Sequence, residues 1–100
     1  MYLLQGKLKA KTGKQEELAT ILIQASKLVS NAETCKLYVV AKQENDPDHV
    51  FITEIWESKT DHDESLNLPG VRNLIMTAMP ILDGSPQKGQ ELEILGGHFA

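Results

Sequence analysis

Apolar and polar residues alternate from the start of the chain, Leu4, Gly6 and Leu8 against Gln5, Lys7 and Lys9. Strand side chains point alternately to opposite faces, so this period of two predicts a strand over Tyr2 to Lys11. Thr12 precedes Gln15 by three residues, a capping-box spacing in which the two side chains satisfy otherwise unpaired backbone donors. The helix predicted from there to about Ser30 carries Leu18, Ile21, Leu22, Ala25, Leu28 and Val29 on one stripe, with Lys14, Gln15, Glu17, Gln24 and Lys27 largely off it. A single apolar stripe places it on a sheet with its other side in water.

After a turn at Asn31-Ala32-Glu33-Thr34, alternation returns over Cys35 to Gln43. Cys35, Leu37, Val39 and Ala41 fall on one face, and Lys36, Tyr38, Val40 and Lys42 on the other. Glu44-Asn45-Asp46-Pro47-Asp48 is a short polar connection to a third strand, His49 to Glu57. That strand has apolar residues on both faces: Val50, Ile52 and Trp56 on one, Phe51 and Ile55 on the other. Both helices are expected on a single sheet face, so the second apolar face needs other cover, most simply a second copy of the chain.

Ser58 precedes a first helical turn containing Asp61, a capping arrangement that suits the positive end of the helix dipole. His62, Ser65 and Leu66 then share a face. Leu68-Pro69 breaks this helix and starts another, with Val71, Leu74, Ile75, Ala78, Ile81 and Leu82 as its stripe, and Pro80 ends it. Asp83-Gly84-Ser85-Pro86 is predicted as a turn, Gln90 to Leu95 as the last strand and Gly96 to Ala100 as a tail. The order is strand, helix, strand, strand, broken helix, strand. It predicts an α+β, ferredoxin-like split βαβ fold (β-α-β-β-α-β) with an antiparallel sheet.

Composition narrows this picture. The 100 residues suit one domain, 1–100, and 41% hydrophobic with 24% charged residues is ordinary globular usage. The 14 acidic side chains outnumber 10 scattered basic ones, which argues against nucleic acid as a partner. The chain lacks an apolar run long enough for a membrane span and any signal-peptide pattern at Met1 to Gln5, so the expected location is cytoplasmic. The lone Cys35 has no partner for a disulfide or a zinc pair and reads as strand filler. The sequence contains no phosphate-binding glycine loop, metal-ligand spacing or serine-nucleophile elbow, and no metal is expected.

Several segments together resemble the antibiotic biosynthesis monooxygenase (ABM) family. They are the strand end Phe51 to Ser58 with Trp56-Glu57-Ser58, then His62 and Ser65-Leu66, then Val71, Pro80-Ile81 and Gly96-Gly97. The closest resemblance is to its quinol monooxygenase branch. It implies a dimeric α+β barrel, two ferredoxin-like units packed sheet to sheet, each with a pocket between its own sheet and helices. It also implies oxidation of phenolic, quinol or polyketide substrates by O2 with no cofactor. Haem-degrading relatives instead pair a first-strand Asn with a Trp on the second helical segment and a His ten residues later. Here Gln5 stands among the first-strand polar residues, no Trp follows Trp56, and no His lies between His62 and His98, so the haem reading is disfavoured.

Cofactor-free oxygenation requires an electron-rich anion, a base to form it, donors to hold it and a dry pocket. His62 is the base candidate, because imidazole is readily tuned near neutral pH and this histidine lies in a structured segment. Its alternative is a surface residue between Asp61 and Asp63. Candidates for the substrate pocket are Trp56, Glu54, Tyr38, Ser65, Met76 and Met79. Trp56, Met76 and Met79 also read as core, and Tyr38 also reads as filling a dimer face. Glu54 shares a strand face with Trp56 and needs a polar partner if buried. His49 and His98 are assigned to the surface. The expected function is a cofactor-independent monooxygenase acting on a small aromatic quinol or phenol with O2. An isomerase or tautomerase of a small carbonyl compound, and a non-catalytic binding protein, are the alternatives.

Overall fold

In the computed structural model, residues 1–85 and 87–98 are described. Pro86 of the expected turn, and Phe99 and Ala100 of the expected tail, lie outside the described residues. Alternating side chains build four strands, β1 (Tyr2–Lys9), β2 (Cys35–Ala41), β3 (His49–Trp56) and β4 (Gln87–Glu93). They form one antiparallel sheet in the order β2-β3-β1-β4. Three helices, α1 (Gln15–Val29), α2 (Lys59–Ser65) and α3 (Pro69–Ala78), complete the ferredoxin-like α+β fold. Pro69 occupies the first turn of α3, where its missing N–H is harmless, and a 3-10 turn at Met79–Ile81 containing Pro80 ends that helix.

The helix-covered face is read from the pairing register. Tyr38 lies opposite Glu54, Glu54 opposite Leu4, and Leu4 opposite Glu91, so one row of side chains crosses all four strands. Tyr2 and Trp56 lie on one side of this row, and Gly6 and Ile52 on the other. Two apolar clusters form beneath the helices instead of a single core. One joins Leu18, Ile21 and Leu22 to Ala10, Val50, Ala78 and Leu82, and the other joins Val29, Val71 and Trp56 to Tyr2, Cys35 and Tyr38. The opposite sheet face carries Leu3, Leu37, Phe51 and Ile55, with Val39 and Leu92 more than two-fifths exposed.

Several boundaries differ from the sequence expectation. β1 ends at Lys9, and Ala10 makes only an isolated bridge with Leu82. Thr12 does not cap α1. A turn through Gly13, at φ +80°, puts Lys14 at the N-cap without a side-chain cap, and the Gln15 amide donates to the carbonyls of Asp46 and His49 at 2.7 and 2.9 Å. Gln15 therefore ties α1 to the β2–β3 connection. A register shift between Cys35 and Leu37 separates Cys35 from the face it was expected to share, and Cys35 packs with the Trp56 cluster. Leu28, expected on the buried stripe of α1, is 39% exposed.

β4 begins at Gln87 rather than Gln90. Its Gly89 is required by close approach, since a Cβ there would overlap the Gln5 backbone at the irregularity between β1 and β4.

Candidate active site

α2 starts where Ser58 Oγ accepts from Asp61 N at 3.1 Å and donates to the Asp61 carboxylate at 2.8 Å. This cap fixes the first turn, and His62 follows with its side chain 12% exposed. The ring lies 5.7 Å from that of Tyr2 and 6.1 Å from that of Trp56, the latter edge-on. His62 Nδ1 is 3.0 Å from Asp63 Oδ1, and Nε2 is 3.8 Å from Glu54 Oε2. Hydrogen bonding by His62 lowers the Asp63 pKa and keeps that carboxylate ionised. An ionised carboxylate only accepts, so Nδ1 carries a proton and donates to Asp63, which leaves Nε2 on the side of Glu54.

Glu54 is 7% exposed and accepts from Trp56 Nε1 at 3.0 Å. Burial raises its pKa, and the opposing effects of the Trp56 hydrogen bond and the attraction of His62 are smaller. The 3.8 Å separation from His62 exceeds a direct hydrogen bond but lies within ion-pair reach, so neither group saturates the other.

These groups stand at the polar end of a cavity of about 410 Å3 between the sheet and the helices. The cavity lies between the two apolar clusters, and Leu4, Ile52, Ile21, Leu22, Val71 and Leu74 wall it. Its volume falls within the ~300–1,000 Å3 range of small-molecule sites. Tyr38 reaches the lining from beside Glu54 and has no hydrogen-bond partner among the described residues. Burial, with Glu54 adding to it, raises the Tyr38 pKa, so the phenol stays a donor. Burial chiefly, with Glu91 contributing, pushes Tyr2 up to about 12, and its hydroxyl donates to Glu91 at 3.2 Å.

Of the residues singled out in the sequence, His62, Glu54, Tyr38 and Met79 meet on the cavity lining. Tyr38 lies on the helix side of the sheet, which corrects the reading that it fills the dimer face. Three others stand off the lining. Trp56 is fully buried behind Glu54, Ser65 is buried with its hydroxyl donating to the His62 carbonyl at 2.6 Å, and Met76 is 71% exposed. Sequence reasoning missed Tyr2, Lys59, Asp63 and Glu91, which complete the polar end. Tyr2 faces the helices by simple alternation, but its meeting with Glu91 requires the β1–β4 register.

His49 pairs with Asp46 in the β2–β3 connection, and neither it nor His98 is on the lining. Burial raises the Cys35 thiol, which leaves it less reactive. Among the described residues, no group of three or more His, Cys, Asp and Glu side chains is arranged to hold a metal ion.

The family model for antibiotic biosynthesis monooxygenases matches residues 1–75. The chain belongs to the antibiotic biosynthesis monooxygenase family. The ABM match includes the strand, cap and helix that carry Glu54, Ser58 and His62. A solved structure named for the same family, from Chloroflexus aurantiacus J-10-fl, is 36% identical, with a TM-score of 0.85 over 98% of this chain and 96% of its own. Family-named structures from Deinococcus radiodurans and Nitrosomonas europaea share the fold. The first is 23% identical, with a TM-score of 0.74 over 100% of this chain and 96% of its own. The second is 14% identical, with a TM-score of 0.86 over 94% of this chain and 89% of its own. No curated protein matches this ABM chain.

Proposed function

We propose that the protein is a monooxygenase that oxidises a small aromatic quinol or phenol with O2, without a metal, flavin or haem. The observation that carries the reading is His62 Nε2 at 3.8 Å from buried Glu54 at the polar end of an apolar cavity, with the Tyr38 hydroxyl free beside it. The substrate hydroxyl accepts from Tyr38 and gives its proton to Nε2. The resulting phenolate passes one electron to O2, and the radical pair joins through a C–O bond as a peroxide anion. His62 returns the proton to give the hydroperoxide, whose O–O bond breaks as the hydrogen on the same carbon leaves, so that water departs and a carbonyl remains. For a quinol, one quinol and one O2 give one hydroxyquinone and one water. Apolar walls keep water from the radical pair.

The same pair could move a proton between carbon and oxygen of a carbonyl compound, an isomerase reading that turnover without O2 would support. Oxygen-electrode traces with purified, metal-stripped protein and a broad quinol panel test the oxygenase reading. Uptake above autoxidation supports it, and uptake equal to autoxidation across the panel defeats it. The apolar sheet face formed by Leu3, Leu37, Val39, Phe51, Ile55 and Leu92 supports a second element of the reading, a homodimer packed sheet to sheet.

A further inference from the structure

We infer that the cavity selects an uncharged aromatic alcohol of one or two rings and turns away the carboxylated analogue built on the same rings, with Glu54 and Glu91 making the distinction. The inference rests on reading this cavity as the substrate site. Glu54 and Glu91 both lie opposite Leu4, one on each neighbouring strand. Adjacent strands are ~4.8 Å apart, so the two acidic positions flank Leu4 across about 10 Å. A flat ring resting on Leu4 therefore has an acidic residue on each side.

The donors around it are already engaged. Trp56 donates to Glu54 at 3.0 Å and Tyr2 to Glu91 at 3.2 Å, while Lys59 lies 3.3 Å from Asp63 and 3.9 Å from Glu91. The other cation on the lining, Lys7, stands three residues further along β1 than Leu4, about 10 Å away at ~3.3 Å per residue, and is exposed. His62 stands between Asp63 at 3.0 Å and Glu54 at 3.8 Å, so a ligand at the polar end finds one unengaged donor, the Tyr38 phenol, beside carboxylates whose cationic and hydrogen-bonding partners are in use. One neutral hydroxyl fits that arrangement. A carboxylate would be buried beside Asp63 and Glu91 without an unengaged counter-ion, which is discrimination by repulsion. The apolar wall supplies affinity for the rings without regard to their substituent charge.

Titration calorimetry in the absence of O2, with 2-naphthol and 3-hydroxy-2-naphthoate at pH 7, tests this. The expected result is at least tenfold tighter binding of 2-naphthol, with Glu91→Gln narrowing the gap by strengthening the naphthoate, and Tyr38→Phe weakening 2-naphthol. Circular dichroism melts confirm that each variant is folded. Equal or tighter naphthoate binding, no binding of either probe, or an unchanged gap in folded Glu91→Gln overturns the inference. Oxygen uptake separates it from the proposed reaction. Naphthol preference without quinol-dependent uptake defeats the oxygenase reading and sustains the selectivity, whereas uptake without the preference defeats the selectivity alone.

Discussion

Glu54 is held between the Trp56 indole and the His62 imidazole, and its burial makes folding sensitive to its proton. Its folded pKa is raised, so the native state favours the protonated form and loses stability as pH climbs through that value. Near pH 4, around the ordinary carboxylate value of ~4.3, the acid is largely protonated in both states. Glu54→Gln keeps an acceptor for Trp56 and removes the ionisation. We expect its urea midpoint to match the native protein near pH 4 and to exceed it once the pH has risen through the raised folded pKa. A gap that closes with rising pH would refute the assignment. For His62→Gln, loss of the base should lower quinol-dependent oxygen uptake ~10²–10⁴-fold at unchanged fold, measured by initial rates beside a thermal melt. The place of His62 on the cavity lining was legible because the Ser58 cap fixes the phase of α2. Tyr2 and Glu91 were not, since the hydrogen bond joining them spans 89 residues and depends on strand register.

At the scale of elements, two short features hold the site's geometry. The Ser58 cap sets α2, and Ser58→Ala should cost about 1 kcal/mol by urea denaturation, with a fall in activity because His62 rides on the turn it fixes. Gly89 lets β4 close on β1 beside the cavity, and a methyl there would strike the Gln5 backbone. We expect Gly89→Ala to destabilise by ~1–3 kcal/mol, as overpacking does, and to loosen the Tyr2–Glu91 contact. A melting temperature unchanged from the native protein would contradict that close approach. The sequence located every helix and strand, including the Pro69 restart, because period, cap and proline are local properties. It misplaced the start of α1 and of β4. Gln15 is used by the β2–β3 connection rather than by a capping box, and the early part of β4 is polar, so its strand character comes from pairing with β1.

For the whole molecule, the open sheet face is the surface on which the proposed dimer would pack. Val39 and Leu92 are 43% and 44% exposed there, while Ile55 between Leu3 and Leu37 is already buried. A sheet-to-sheet dimer predicts a light-scattering mass of twice the 11.1 kDa chain, and Val39→Glu should return it to the monomer mass without unfolding it. A native monomer at micromolar concentration would remove the dimer from the reading. The ferredoxin-like order, the two-sided apolar β3 and the family resemblance were all present in the sequence, because each depends on patterns along the chain. The sequence could not tell which side of β2 meets the helices, since Tyr38 with Val40 and Leu37 with Val39 are both apolar enough to be buried. Nor could it join Tyr38, Glu54, Leu4 and Glu91 into one row, because that row depends on strand order and register. Local periodicity determined the elements, and the motifs Trp56-Glu57-Ser58, His62 and Ser65-Leu66 carried the family resemblance. Only the tertiary pairing of distant strands decided that a cavity opens between two apolar clusters, and that His62, Glu54 and Tyr38 meet at its polar end.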